Sequence, residues 1–193
     1  ITFVGKLNKA KGYDVFGSAI IEILNKHKTW NAVVIGDEER ESHFFKHKNL
    51  NLLGFQNHKK VLDIFKTTSI SVVCSRWEEP FGRTSLESSS CGCAVIITNR
   101  GGLPETITNG VIIEKLNKKN VFNAIDKLIK NKKFRNNLQK LSLKNFNLTN
   151  KFSSDLIDKY RNDILSNKPL INKKGLKILH VTNFNERHNG RLF

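Results

Sequence analysis

The sequence predicts a three-layer α/β domain, in which helices cover both faces of a parallel sheet of about six strands. Short apolar runs alternate along the chain with amphipathic stretches, a pattern typical of β-α-β units. Within the amphipathic stretches the apolar residues recur at helical spacing and form one face. With 193 residues, of which 38% are hydrophobic, the chain can bury one core of ordinary size. One principal domain is therefore expected.

Six apolar runs are predicted to form the strands, and the stretches between and after them to form the helices. Between the first two strands, apolar side chains recur from Val15 to Leu24 and give a crossover helix one buried face. The predicted strands are residues 1–4, 31–35, 51–55, 70–74, 94–98 and 111–113. The predicted helical stretches are residues 15–24, 61–65, 84–90, 121–128, 134–143 and 152–165.

The helical periodicity stops near residue 168, which indicates a domain boundary. The principal domain is predicted to span residues 1–167, and residues 168–175 contain proline and glycine, as a linker does. A new apolar run, K-I-L-H-V-T, then begins. Residues 176–193 are therefore interpreted as the truncated start of a further α/β domain with one orphan strand. The chain contains no methionine, so we expect it to be a segment of a longer protein.

The formal net charge of +16 would suit a nucleic-acid or anionic-membrane partner. However, lysines lie throughout the chain, and the densest runs, at 115–119 and 127–133, flank or occupy helices whose apolar face already has a core to cover. We therefore expect solvated helix surfaces and no nucleic-acid partner. Peripheral contact with the inner face of a membrane is the alternative.

The sequence favours a cytoplasmic protein. No apolar run approaches the roughly 20 residues needed to cross a bilayer, and the first residues lack the layout of a signal peptide. The cysteines Cys74, Cys91 and Cys93 are odd in number and lack C-x-x-C spacing. They are expected to be small buried residues in a reducing compartment.

Two carboxylates, Glu79 and Glu87, flank a seven-residue segment that follows an apolar run. Pro80 and Gly82 interrupt regular structure, and the residues after them can start a helix. Glu79 is therefore expected on a strand-to-helix loop, and Glu87 about one turn into the helix.

The start of this helix is a candidate site for a diphosphate. The backbone amides of Gly82, Arg83 and Thr84 would be unpaired at the helix N-terminus, where anions bind. The loop would also lie at the C-terminal edge of a parallel sheet, where ligands of open α/β folds bind.

Two stretches of the sequence resemble a known family. The segment S-R-W-E-E-P-F-G-R-T-S-L-E-S-S-S-C-G, followed by A-V-I-I-T and G-G-L-P-E, resembles the donor-site signature of family 4 glycosyltransferases of the GT-B fold. The start of the chain, F-V-G-K-L followed by K-G, resembles the family pattern F-V-G-R-L-x-x-x-K-G. The resemblance covers nearly all of residues 1–165. It implies a Rossmann-like domain, the C-terminal, donor-binding half of a GT-B fold.

The resemblance also implies roles for particular residues. Lys6 and Lys11 would be the cations that hold the nucleotide diphosphate, and Glu87 would receive the ribose hydroxyls. Glu79 would face the transferred sugar at the catalytic centre. The loop amides of the residues between them would hold sugar and diphosphate oxygens: Phe81, Gly82, Arg83 and Thr84.

The sequence departs from the family pattern at two places, and two further features stay open. Lys6 stands where arginine is commoner, which loses a bidentate contact. The pair Arg83-Thr84 replaces an apolar pair. The Gly101-Gly102 pair is either a ligand loop or a tight turn. His58 ends the segment G-F-Q-N-H, which occupies the place where the family approaches the base, but a lone loop histidine is usually solvated, so it is not a predicted site residue.

The resemblance implies a retaining glycosyltransferase of the hexosyltransferase type. It would transfer a sugar from a UDP-sugar or GDP-sugar to a hydroxyl of a carbohydrate or lipid-linked acceptor. Fixed cations and a helix terminus can stabilise the leaving diphosphate, and no D-x-D motif is present, so neither a metal nor a cofactor is expected. In the family the acceptor site lies mainly on an N-terminal domain, which this chain lacks, so we expect weak donor binding and no transfer by the chain alone.

Two alternatives remain open. One is another GT-B-like enzyme, such as a nucleotide-sugar epimerase or a glycogen or sucrose synthase. The other is a non-catalytic binding module that uses its basic surface. A dinucleotide-dependent dehydrogenase is disfavoured because no G-x-G-x-x-G follows the first predicted strand.

Overall fold

The computed structural model describes residues 1–41 and 43–166. Strands and helices alternate through most of this range. The strands are β1 (Thr2–Val4), β2 (Ala32–Ile35), β3 (Leu50–Leu52), β4 (Ile70–Val73), β5 (Ala94–Thr98) and β6 (Gly110–Ile113). The helices are α1 (Tyr13–Lys26), α2 (His58–Lys66), α3 (Arg83–Ser90), α4 (Lys118–Lys130), α5 (Lys132–Lys144) and α6 (Asn150–Ser166), with a short 3₁₀ helix at Leu103–Thr106.

The six strands form one parallel sheet in the order β3-β2-β1-β4-β5-β6. The chain first builds outward from β1 to β3 and then crosses back to lay β4 on the other side of β1. The order therefore reverses between β1 and β4, and ligands of open α/β sheets bind in the crevice at such a reversal. The junction itself is narrow, because β1 and β4 are in register at a single pair, Thr2 and Ser71.

The central strands of the sheet are covered on both faces, as their apolar residues require, whereas the edge strands β3 and β6 are partly exposed. Alternate residues of β5 enter different cores. Ile96 packs with α1 and α4 on one face, in a cluster that includes Phe16 and Ile125. Ile97 packs on the other face with Phe65 and other side chains. The strand pattern therefore confirms the predicted three-layer, Rossmann-like architecture.

The predicted strands and helices are confirmed, and the differences lie at their ends. One of them concerns β3, which was predicted at 51–55 and forms at Leu50–Leu52. The Leu53 amide still donates to the carbonyl of Val34, at 2.9 Å, but the backbone then turns at Gly54, where φ is +63°. This turn ends the strand before Phe55, which is left exposed.

The chain divides into two compact units, Ile1–Thr149 and Asn150–Phe193. The described part of the second unit is α6, none of whose residues is buried. Its exposed apolar side chains include Ile157, Tyr160 and Ile164. The predicted domain boundaries at 167 and 175 stay predictions, and both the linker and the trailing strand lie outside the described residues.

Candidate functional site

The loops that follow β1 and β4 meet at the sheet crevice and enclose a small cleft. Its volume is about 60 Å³, enough for a few water-sized groups, so a nucleotide sugar would lie across its mouth. Gly5 and Ser75, at the ends of the two strands, form part of its floor. Five of the predicted site residues line it: Lys11, Glu79, Gly82, Arg83 and Thr84.

The position of Lys11 depends on the residue after it. Gly12 caps α1 with a φ of +73°, and a Cβ atom there would lie 1.9 Å from the carbonyl oxygen of Cys74. Only glycine permits this approach of α1 to the end of β4. Lys11 is thereby placed directly over the crevice. Burial raises the pKa of the Cys74 thiol to about 12, so this cysteine is a packing residue of the junction.

Lys11 and Glu79 form an ion pair inside the cleft. The Lys11 Nζ atom lies 2.5 Å from Oε1 of Glu79, and the two side chains are 34% and 11% exposed. The two residues are 68 positions apart in sequence, so the pair joins the β1–α1 loop to the β4–α3 loop. A cation and a carboxylate therefore converge at the point predicted for the phosphate and the sugar.

The N-terminus of α3 opens onto the same cleft. Gly82 is the cap residue, with a φ of +95° and no side-chain capping bond. Since the first amides of an α-helix have no intrahelical acceptor, the amides of Arg83 and Thr84 are available to an anion. The Ser85 hydroxyl donates to the Gly82 carbonyl at 2.7 Å and lies 2.6 Å from the Thr106 hydroxyl, which fixes the first turn on the 3₁₀ helix.

Glu87 lies one turn further along α3, as predicted, with a side chain that is 20% exposed. Its Oε1 atom accepts a hydrogen bond from Nη2 of Arg83 at 3.2 Å. The Nε2 atom of His58 lies 3.1 Å from the same oxygen. The motif helix therefore presents Glu87 beside the first residue of α2.

The Gly101-Gly102 pair supports the Glu79 loop. The Gly102 amide donates to the carbonyl of Glu79 at 2.7 Å, and the Gly101 amide donates to Oε2 of Glu78 at 2.5 Å. Arg100 adds an ion pair to Glu78 at 2.9 Å. These contacts favour the tight-turn interpretation of the glycine pair, which supports the carboxylate loop from behind.

A second cross-link ties the two site loops together. The Arg76 guanidinium binds both carboxylate oxygens of Asp14, at 2.7 and 2.8 Å, and donates to the Lys9 carbonyl at 2.6 Å. Burial alone would raise the pKa of Asp14, but the hydrogen bonds and charge of Arg76 outweigh it and lower that pKa. The loop cross-link is therefore charged at neutral pH.

Three predicted site residues do not line the cleft. Lys6 is exposed and lies in a neighbouring cleft with the acidic segment 37–39 and Arg40. Phe81 lies beside the cleft and is 44% exposed. Glu87 is connected to the cleft through the hydrogen bond that it accepts from Arg83. Their proposed roles toward a ligand stay predictions.

Sequence reasoning left out His58, which the structure places against Glu87. The preceding Asn57 is a typical helix N-cap and could have placed His58 on the first turn of a helix. No sequence signal shows that this turn packs beside α3. Among residues 1–41 and 43–166, no group of three or more metal-ligating side chains occurs, and no helix is long and apolar enough to span a membrane.

The fold and cleft define an α/β domain in which a lysine, a carboxylate and a helix N-terminus meet at the point where the strand order reverses. Over residues 1–144 the chain matches the family model described as glycosyl transferases group 1. The chain belongs to this glycosyltransferase family.

Individual comparisons agree with the family. The spore coat protein SA of Bacillus subtilis is 28% identical over an alignment 159 residues long, and the match covers 74% of this chain and 42% of that protein. The C-terminal domain of a group 1 glycosyl transferase from Francisella tularensis superposes with a TM-score of 0.67 and 28% identity, over 74% of this chain and 82% of that domain. HepE from Anabaena, solved in complex with UDP, superposes with a TM-score of 0.65 and 20% identity, over 86% of this chain and 48% of that one. The chain thus spans less than half of the spore coat protein and of HepE.

Proposed function

We propose that this chain binds a nucleotide-diphosphate sugar at the β1/β4 crevice and supports transfer of its sugar to an acceptor hydroxyl. The observation that carries the proposal is the convergence of Lys11, Glu79 and the opening amides of α3 on one cleft. A cation beside a helix N-terminus suits a diphosphate, and the carboxylate suits sugar hydroxyls. HepE, which has the same fold, is known in complex with UDP, and this supports the choice of ligand.

In this proposal the Lys11–Glu79 ion pair prepares the cleft for the donor. Without donor, the ammonium of Lys11 is neutralised by Glu79. When a diphosphate reaches the cleft, Lys11 turns part of its hydrogen-bonding capacity to a phosphate oxygen, and Glu79 gains free acceptor capacity for the sugar. The diphosphate of the donor then contacts Lys11, and the sugar contacts the neighbouring Glu79.

The transfer itself balances without a metal. In the net reaction the acceptor oxygen forms a bond to the anomeric carbon, the bond from that carbon to the diphosphate breaks, and the proton of the acceptor hydroxyl passes to an oxygen of the departing diphosphate. The departing diphosphate takes the bonding electrons, and Lys11, the α3 amides and, in the proposal, Lys6 stabilise that charge. The assignment as a retaining hexosyltransferase rests on the family resemblance. The acceptor, a carbohydrate or a lipid-linked sugar, would be supplied from a further domain.

The proposal is tested by calorimetric titration of the chain with UDP-, GDP- and ADP-sugars. We expect one nucleotide class to bind with a Kd in the micromolar to millimolar range, and Glu87→Ala to weaken it about tenfold through loss of the ribose contact. Failure of every nucleotide sugar to bind would refute the proposal.

The matched turnover assay separates the enzyme alternatives. We expect no sugar transfer by the isolated chain, because the family resemblance implies that the acceptor site lies mainly on a further domain. Rapid turnover by this chain would mean that the active site lies elsewhere. Conversion of a nucleotide sugar without acceptor would indicate an epimerase, and retention on anionic lipid or DNA without nucleotide binding would indicate a binding module.

A further inference from the structure

The carboxylate of Glu87 is held at one of its two oxygens by side chains from two helices. His58 Nε2 and Arg83 Nη2 lie 3.1 and 3.2 Å from Oε1. Within the described ranges no hydrogen bond reaches Oε2. The carboxylate is therefore fixed from one side, with its second oxygen left as an acceptor.

The two contacts differ in what they can contribute. Arg83 lies four residues before Glu87 in the same helix and is 76% exposed, and such pairs contribute only about 0.3–0.5 kcal/mol. His58 approaches from α2, which packs beside α3, and is held at the first turn by the Asn57 cap, whose Oδ1 accepts from the Lys60 amide at 2.9 Å. His58 is 59% exposed, and it is the contact that ties the orientation of Glu87 to a second helix.

We propose that His58 is a positioning residue for the nucleotide ribose. Its Nε2 atom lies 3.1 Å from Oε1 of Glu87 and orients the carboxylate so that Oε2 faces the ribose diol before the donor arrives. A carboxylate that is already oriented loses less side-chain entropy when it binds, and the saved entropy appears as affinity. The proposal rests on the proposed function, since it requires a ribose at Glu87.

The inference is tested with His58→Ala, His58→Gln and the control Lys59→Ala, which removes an exposed side chain from the same helical turn. The Gln side chain can place an N–H near the position of the histidine Nε2. Each variant of the full 193-residue chain is titrated with UDP and GDP, and with the 2′,3′-dideoxy analogue of each.

His58→Ala is expected to weaken binding of the preferred nucleotide about fivefold, which is the upper end of what an exposed polar contact contributes. His58→Gln should restore affinity to within about twofold, and Lys59→Ala should match the wild-type chain. None of the variants should alter binding of the dideoxy analogue, since it has no hydroxyl for Glu87. All should melt like the wild type, because the Asn57 cap is intact.

Three results would overturn the inference. Unchanged affinity in His58→Ala would show that Glu87 is oriented without the imidazole. Equal losses for the ribose and dideoxy ligands would show a general effect on the site. Absence of nucleotide binding by the wild-type chain would refute the proposed function itself, and is distinguishable because it precedes any comparison of variants.

Discussion

The two glutamates of the β4–α3 segment are held in different ways. Glu79 is 11% exposed and is paired with Lys11, which lies 68 positions away in sequence. Glu87 is 20% exposed and is held by Arg83 of its own helix and by His58 of the neighbouring one. The first carboxylate depends on two loops meeting across the sheet, whereas the second depends mainly on the packing of two helices.

The positions of the two glutamates in this motif are therefore determined by different levels of structure. The spacing of the glutamates is a local property, and it places Glu87 correctly once α3 forms. The environment of Glu79 is set by tertiary structure, through Lys11 on one side and the Gly102 amide on the other. Changes in the loops should therefore alter the environment of Glu79 and leave Glu87 as it is.

Lys11→Ala should have the largest effect on donor affinity. It removes the cation from the cleft and leaves the carboxylate of Glu79, which would repel a diphosphate. We expect the Kd for the preferred nucleoside diphosphate to rise about 30- to 100-fold, the effect of losing a charge-assisted contact of about 2–3 kcal/mol. Calorimetry measures this change directly.

Two lysine variants serve as controls for Lys11. Lys9→Ala removes the same charge from an exposed side chain of the same loop and should change affinity less than about twofold. Lys6→Ala should lie between the two, because Lys6 is outside the cleft. Equal effects of all three substitutions would show that only the net charge of the loop matters.

Gly101→Ala should disturb Glu79 selectively. A Cβ atom at Gly101, whose φ is +52°, would lie 2.3 Å from the Glu79 carbonyl oxygen. Gly54 has a similar φ of +63° but nothing within 4 Å of a Cβ, so Gly54→Ala carries the backbone strain alone, about 1 kcal/mol. We expect Gly101→Ala to be destabilised by about 2 kcal/mol more than Gly54→Ala, because the clash must shift the loop.

The same pair of variants separates stability from binding. Urea denaturation gives the free energies of unfolding, and calorimetry gives the affinities. Displacement of Glu79 should weaken binding of a nucleotide sugar about tenfold in Gly101→Ala, with little loss for the nucleoside diphosphate that lacks the sugar. A similar loss for both ligands would contradict the assignment of Glu79 to the sugar.

Asp126→Asn should leave the affinity for the donor unchanged. Like Glu79, Asp126 is a largely covered carboxylate with basic partners, at 13% exposure, but it joins α1 to α4 at a distance from the cleft. Burial alone would raise the pKa of Asp126, but hydrogen bonds from Lys130, His27 and Lys26 outweigh it and hold the pKa well below its usual range.

The pH dependence of stability is the measurement for this variant. The pKa of Asp126 is lower in the folded state than in the unfolded chain, where it is about 4. The stabilising contribution of Asp126 is therefore complete above this pH and is lost as the pH falls below it. We expect Asp126→Asn to be about 1 kcal/mol less stable at pH 7 and to lose less stability than the wild type below about pH 4. A change in nucleotide affinity would contradict a purely structural role.

The sequence predicted the six strands because short apolar runs that alternate with longer amphipathic stretches favour the strands of β-α-β units. It also placed Glu87 on α3, since Gly82 and the residues after it form a helix start. The strand order was not predicted, because apolar composition does not specify which strands pair. The contact between His58 and Glu87 was missed for the same reason, since it depends on α2 packing beside α3.

Lys6 is the predicted cation whose partner the fold leaves least determined. Its phosphate contact stays a prediction, and in the structure without ligand its side chain lies beside the acidic segment that follows β2. The Leu7 amide donates to the Asp37 carbonyl at 3.2 Å, so the loop after β2 lies against the loop after β1. A long lysine side chain on such a loop has several anionic partners within reach, and spacing alone does not select one.

The single register pair between β1 and β4 has a consequence for the response of the domain to its ligand. The two halves of the sheet, β3-β2-β1 and β4-β5-β6, meet at one backbone pair, and the proposed ligand contacts Lys11 from one half and the α3 amides from the other. A bound diphosphate would therefore bridge the two halves of the sheet. Because the site exists only when both halves are folded together, ligand at 100 times its Kd should raise the free energy of unfolding by about 2.7 kcal/mol. A thermal melt would then report occupancy of the crevice.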